Sequence, residues 1–284
     1  MNMNTAGDSG GPIERLADPW QQVDSSAEVD RLIQILEERG AASDLAELRS
    51  RWLEFVGVHP GYHVLDLGCG TGVVARDVAR RVGEQGKVVG VDLSHRLIQE
   101  AGRLAKEQGV EGRIEFRPAD AAALPFPDRS FDLVVASTVF SHIADGLQVL
   151  SEMSRIARGG GTVSVFDHDI DTIVVNATDR ELSRRIIHAY CDRYFAGGWA
   201  GRELYGLFRQ VGLEDIRVLP LILSSTQLGT YWQQVIERAS TVAIKTGEVS
   251  QEEAHRWRED LERKGREGQF FGCRNYYCVR GRKP

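Results

Sequence analysis

Three glycines at alternate positions, Gly68, Gly70 and Gly72, follow an acid, Asp66, two residues upstream. The acid sits in the apolar, β-prone run Val64 to Leu67. A helix-like pattern follows at once in Val73, Val74, Ala75, Val78, Ala79 and Val82. Strand, glycine turn and helix in that order form the front end of a nucleotide-binding unit. Glycine allows positive φ in a tight turn and lets a ligand approach the backbone closely. The spacing separates two ligand classes. A dinucleotide turn reads G-x-G-x-x-G and would place its third glycine at 73; the residue there is Val73. A pyrophosphate at a helix N-terminus also favours bare amide donors without a carboxylate beside them. Asp66 suits a ligand that carries hydroxyls and positive charge.

Other residues of chemical interest fall at the ends of later apolar runs. Asp92 closes Val88 to Asp92, 20 residues after Gly72, and Asp120 follows a third run. Either acid can instead serve a turn, and Asp92 or Ser94 can cap a helix. His142 lies just past a fourth run and His168 at the end of a fifth. Histidine is suited to proton transfer near neutral pH, so both are candidate catalytic bases. Asp167 and Asp169 flank His168, and an extended backbone puts them on one face. Such carboxylates raise an imidazole's basicity and fix its tautomer, and both are candidates for substrate contact. Two acids make a thin oxygen cage, so no metal is expected. Tyr190, Tyr194, Phe195 and Trp199 form an aromatic stretch, joined by Tyr231, Trp232, Phe270 and Phe271. They suit the lining of an apolar or aromatic substrate site, or the core of ordinary helices.

The elements that must position these residues alternate regularly. Strands are expected at 63–67, 88–92, 113–117, 131–137, 161–167, 214–221 and 274–280, and helices at 71–82, 95–108, 146–157, 178–194 and 201–211. That order implies an α/β fold, a mostly parallel seven-stranded sheet with helices on both faces. Residues 1–11 read as a disordered tail, without the basic end and apolar core of a signal peptide. Residues 12–60 read as an amphipathic helical cap, with Asp24 and Ser25 available to cap its first long helix. Residues 61–284 form the main domain, interrupted by insertions at about 168–200 and 222–268. The second insertion ends in a helix over 250–266 with a capping box, Ser250 and Glu253. Ligands of open α/β sheets bind outside the carboxyl ends of the strands, so both insertions and the N-terminal helices are expected to roof a substrate pocket.

Composition excludes several classes. No run in the 284 residues approaches the ~20 apolar residues of a membrane span. The formal net charge is −6 with no long Lys/Arg block, which argues against nucleic acid as a partner. Cys69, Cys191, Cys273 and Cys278 make no C-x-x-C pair, so thioredoxin and zinc-ribbon chemistry lack support. A reducing, cytoplasmic compartment is the simplest reading of these thiols.

Val64 to Gly72, reading Val-Leu-Asp-Leu-Gly-Cys-Gly-Thr-Gly, resembles the first motif of the class I S-adenosylmethionine (SAM)-dependent methyltransferases. SAM carries hydroxyls, an amino group and a sulfonium, which fits Asp66. Leu124 to Asp132 resembles a segment of the ubiquinone/menaquinone-biosynthesis-like members. The resemblance is good over about 63–167 and only architectural elsewhere. It implies a Rossmann-like sheet whose last strand inserts antiparallel between the fifth and sixth. It also implies SAM against Asp66, Gly68, Cys69, Gly70 and Gly72, with Asp92 on the ribose hydroxyls and Leu93 against adenine. Asp120 and Ala121 would read the adenine edge, while Ser137 and His142 would face the methionine part. Phe131 would pack under the sheet, and Asp132 would be structural. The implied activity is methyl transfer to a small apolar or aromatic metabolite. A non-methylating SAM enzyme such as a cyclase, an NAD(P)-dependent oxidoreductase, and a protein or RNA methyltransferase are the competing readings. Whether the chain forms a homo-oligomer stays open.

Overall fold

A computed structural model describes residues 15–284, and the expected tail 1–11 lies outside the described residues. Two 3₁₀ turns, Pro19–Gln21 and Val23–Ser25, precede α1 (Val29–Ala41) and α2 (Ser43–Val56). Then β1 (His63–Leu67), α3 (Val73–Val82), β2 (Lys87–Asp92), α4 (His95–Glu107) and β3 (Ile114–Pro118) alternate. They are followed by β4 (Phe131–Ser137), α5 (Gly146–Ile156), β5 (Ala157–His168) and β6 (Val174–Val175). The remainder is α6 (Arg180–Tyr194), α7 (Ala200–Gln210), β7 (Glu214–Ser225), α8 (Thr230–Lys245), α9 (Gln251–Arg266) and β8 (Gly272–Arg282).

The strands form one sheet, ordered β3-β2-β1-β4-β5-β8, with β7 on the far side of β8. β1 to β5 pair in parallel. β8 runs antiparallel to both β5 and β7, so the last strand is inserted as expected. The sheet has eight strands rather than the expected seven. β5 ends at the His168–Tyr276 pair, but β8 begins earlier, at Gly272, and its open edge is filled by the two residues of β6. Two residues carry no periodicity from which a strand can be read. β5 also starts at Ala157 instead of 161. Phe131 pairs with Ala157 and Leu133 with Thr162, so Arg158 to Gly161 are absorbed in a bulge. Gly160, at φ 74°, takes the turn that this requires.

The N-terminal helices are built into the core. Trp52 is fully buried, stacks on Phe166 at 5.3 Å, and donates its Nε1–H to Ser164 Oγ at 3.0 Å. Burying a side chain of that size contributes about 4–6 kcal/mol at 25 cal/mol/Å². α1 is tied to the glycine turn by a charged cluster. Buried Arg76 bonds Glu37 Oε2 at 2.8 Å and the Thr71 carbonyl at 2.6 Å, and Thr71 donates to Glu37 at 2.5 Å. Gly40 then meets Val73 so closely that an added Cβ would sit 2.8 Å from its side chain.

Asp24 does not cap α1, whose N-cap is Glu28 without a side-chain bond. It reaches across to α4, accepting from Ser94 Oγ (2.5 Å) and the amides of His95 (2.9 Å) and Arg96 (3.2 Å). A carboxylate at a helix N-terminus satisfies the same orphan donors whichever segment supplies it. Helix α9 opens with the expected capping box, Ser250 and Glu253. α6, α8 and α9 pack a second apolar cluster of their own around Ile186, Ile236 and Trp257. Among the described residues, no helix is long and apolar enough to cross a membrane.

Candidate active site

The carboxyl ends of β1, β2, β4 and β5 open into one cavity of about 560 Å³. Its first end is the glycine turn. Gly68 and Gly72 have φ of 64° and 81°, and an added Cβ would strike Val139 at 2.5 Å and Phe116 at 2.8 Å respectively. Only glycine fits either position. Gly68, Cys69 and Gly70 line the wall, whereas Gly72 lies behind it as the N-cap of α3. Cys69 packs on Gly90, where an added Cβ would sit 3.1 Å from its Sγ, and burial raises its thiol well above the usual range. It is an inert space-filler.

Asp92 stands at the end of β2. Its Oδ2 accepts from the Gly70 amide at 2.9 Å and its Oδ1 from the Ser94 amide at 3.0 Å. Burial raises this carboxyl, and the two amides hold it back. Each oxygen retains a lone pair for a further donor. Leu93 beside it is 63% exposed at the rim. Asp120 accepts from the Ala122 amide at 2.9 Å and, with Ala121, lines the same wall.

Asp66 is different. It is 1% exposed, lines the cavity, and neither oxygen has a hydrogen-bond partner among the described residues. Burial pushes it up to about 8, the Ala75 amide opposing and the Asp92 charge reinforcing. A buried carboxylate without partners is costly, and a cationic ligand relieves that cost.

β4 ends at Ser137, which lines the cavity. Thr138 follows at φ 53°, a left-handed position that a β-branched residue rarely adopts. Its amide donates to the Phe166 carbonyl at 2.8 Å, which holds the turn against β5. Beyond it, His142 accepts a strap from the N-terminus. Its Nδ1 meets Asp18 Oδ2 at 2.5 Å, and its carbonyl accepts from Gln21. Trp20 and Gln21 of that strap roof the cavity with Leu36 and Arg39 of α1.

At the other end stand His168, Tyr276, Arg274 and Tyr231. His168 is 7% exposed, and neither ring nitrogen has a hydrogen-bond partner among the described residues. Burial, with the Arg274 charge, pushes its pKa well below the ordinary range, so the ring is neutral at physiological pH. The Tyr231 and Tyr276 hydroxyls lie 3.3 Å apart, and Arg274 Nη1 donates to Tyr231 at 2.9 Å.

Four residues expected to touch substrate lie off this cavity, each with other duties. Asp167 is fully buried. Its Oδ2 accepts from the Phe140 and Ser141 amides at 2.7 and 3.3 Å, and its Oδ1 from the His168 amide at 2.8 Å, so it pins the turn carrying His142. Asp169 is paired bidentately with Arg202 of α7. Asp169 is still extended, at φ −109° and ψ 107°, so alternation continues past β5: His168 lines the cavity and the acids on either side of it do not. Tyr190 and Tyr194 are packed with Phe195 in the α6–α8 cluster. Phe131 is 1% exposed under the sheet, and Asp132 bonds the His63 amide at 2.8 Å and Arg158 at 2.5 Å. Sequence reasoning missed Asp18, Arg39, Thr138 and Arg274. For Arg274 a signal existed: it shares the inward alternation of Tyr276 and Cys278, where a charge is out of place. For the others there was none.

Residues 58–258 match the family described as a methyltransferase domain. An uncharacterised 37.1 kDa transposon protein of Streptomyces fradiae is 29% identical over 242 residues, 84% of this chain and 68% of that protein. Demethylmenaquinone methyltransferase of Bacillus cereus is 30% identical over 186 residues, 61% of this chain and 78% of that one. Other curated methyltransferases match over about half of their own length. Among solved structures, phosphoethanolamine N-methyltransferase 2 of Haemonchus contortus, in complex with SAM, has the same fold. Its TM-score is 0.60 at 20% identity, covering 95% of this chain and 60% of that one. The family match runs from the end of α2 into α9, well over half of the chain, which therefore belongs to the class I SAM-dependent methyltransferases.

Proposed function

We propose that SAM is held at the glycine-turn end of the cavity and that a small apolar or aromatic acceptor is methylated at the His168 end. The observation that carries this reading is the continuity of one cavity between an acid-lined end and an aromatic one. Asp92 offers one free lone pair per oxygen to the two ribose hydroxyls. Asp66 takes the methionine amino group, the cation that its orphaned carboxylate lacks. Asp120 and Ala121 read adenine, Leu93 covers it, and Gly68, Cys69, Gly70 and Ser137 supply backbone. His142, anchored by Asp18, flanks the methionine part and closes the strap over it.

SAM supplies an electrophilic methyl group whose displacement leaves a neutral thioether, so alignment is the chain's main task. Phe166 and Tyr276 line this end of the cavity and give an aromatic acceptor an apolar wall. His168 is the base for an acceptor that must lose a proton. Kept neutral by burial, it takes that proton on a free ring nitrogen as the nucleophile advances. The N-terminal helices and α8 form the lid, and the compartment is the cytoplasm. The activity named for the Bacillus cereus relative, on demethylmenaquinone, supports an aromatic acceptor.

The test is transfer of isotope-labelled methyl from SAM to a panel of phenols, quinols and apolar alcohols, beside calorimetric titration with SAM. Absence of SAM binding overturns the whole reading. Binding with label passing only to protein or RNA overturns the acceptor class.

A further inference from the structure

Arg274 is 4% exposed and forms no ion pair among the described residues. Its Nη1 donates to the Tyr231 hydroxyl, while Nε and Nη2 have no hydrogen-bond partner among the described residues. Those two nitrogens are the side-on fork with which a guanidinium grips two oxygens at once. A second cation stands close by. Arg39 and Arg274 lie 5.8 and 5.9 Å from the centroid of the Tyr231 ring, and Arg39 Nε also has no partner among the described residues. Buried Arg76 makes the contrast. It is equally hidden, yet Glu37 and the Thr71 carbonyl engage it fully. A buried cation without a counter-charge is expensive. The neighbours of Arg274 on this wall, neutral His168 and two tyrosines, supply none.

We propose that the methyl acceptor carries an oxyanion, a carboxylate or a phosphate, which Arg274 grips side-on with Arg39 reinforcing the charge. The inference rests on the reading above that the acceptor occupies this end of the cavity. It makes the acceptor amphipathic, with a flat apolar body against Phe166 and Tyr276 and one charged end toward β8. The oxyanion fixes the orientation of the body, and its charge is neutralised where no water shell screens it. Since the fork binds the charge that stays on the molecule, the methylated position is elsewhere on it.

The experiment titrates the full chain, saturated with S-adenosylhomocysteine, with benzoate, phenyl phosphate and neutral benzamide by calorimetry. In the wild type, one of the anions binds at least about tenfold more tightly than benzamide, as a charge-assisted bidentate pair requires. The stronger anion names the headgroup. Arg274→Met abolishes the preference, Arg274→Lys retains part of it, and Arg39→Met weakens it severalfold. SAM affinity stays within about twofold in all three variants. Arg274→Met also keeps or raises the melting temperature, because it removes an unpaired buried charge. Equal binding of the three probes, or no binding by either anion, overturns the proposal. So does a loss of about tenfold in SAM affinity in Arg274→Met, which would assign the arginine to the cofactor's own carboxylate. Failure of the methyltransferase reading is separately visible, as absence of SAM binding in the wild type.

Discussion

The two ends of the cavity are built on opposite plans. At the glycine-turn end every wall residue from Asp66 to His142 belongs to one stretch of 77 positions, and most polar groups are already matched within the chain. Asp92 is held by two amides, Asp120 by one, and His142 by Asp18. Of these acids Asp66 has no hydrogen-bond partner among the described residues. At the other end the wall comes from residues 39, 168, 231, 274 and 276, and the unmatched groups are the rule. The matched end is preformed by the chain's own hydrogen bonds. The unmatched end holds two arginines and a histidine with nitrogens that have no partner among the described residues, the groups on which the proposed acceptor contacts rest.

Mutations can break or sharpen this contrast, and the largest effect is expected at the unmatched end. His168→Ala lowers kcat about 10²–10³-fold at saturating SAM for an acceptor that must be deprotonated. Because burial holds His168 well below the ordinary range, the rate of the wild type is level between pH 6 and 8 as far as this group is concerned. A rate that halves near pH 6.5 points to another base. At the matched end, Asp92→Ala removes two charge-assisted bonds and weakens SAM binding about 100-fold. Calorimetry that finds affinity unchanged refutes the ribose role.

Asp66 gives a smaller effect with a distinctive pH signature. Its carboxyl, raised by burial to about 8, compares with about 3.9 in an unfolded chain. Between those values the folded protein keeps a proton that the unfolded chain has released, so its stability falls as pH rises from about 4 to about 8. Asp66→Asn flattens that fall, read as melting temperature against pH, while weakening SAM about tenfold. In the wild type, SAM binding near pH 7 releases a proton, visible as a buffer-dependent binding enthalpy; no release separates Asp66 from the ammonium. Asp18→Asn loosens the strap on His142 and speeds SAM release by about fivefold, near 1 kcal/mol, in stopped-flow measurements. Asp24→Ala is smallest: it costs about 1 kcal/mol of stability through the α4 cap, and denaturant titration checks it.

Much of the matched end was legible because its chemistry is local. A strand, three glycines and a helix define a turn within a few residues, and acids at successive strand ends fall on one edge of a parallel sheet. The capping box of α9 was legible for the same kind of reason, whereas the inserted last strand was expected only from the family resemblance. Asp24 was misplaced because a carboxylate caps whichever helix end it reaches, and the strap carries it to α4. Asp167 and Asp169 alternate with His168 on extended backbone as expected, but His168 has the cavity side and the acids do not, and spacing does not say which side faces the cavity.

By itself, then, the sequence determined the doubly covered parallel sheet and the glycine turn, since these follow from periodicity and spacing over short distances, and its motif resemblance pointed to the methyl donor. The tertiary structure alone decided which histidine is buried and neutral, which tyrosines are core and which are wall, and that Arg274 has no counter-charge among the described residues. Those properties depend on what packs against a residue from far along the chain. Burial and the lack of a partner are facts about neighbours, and spacing does not encode them.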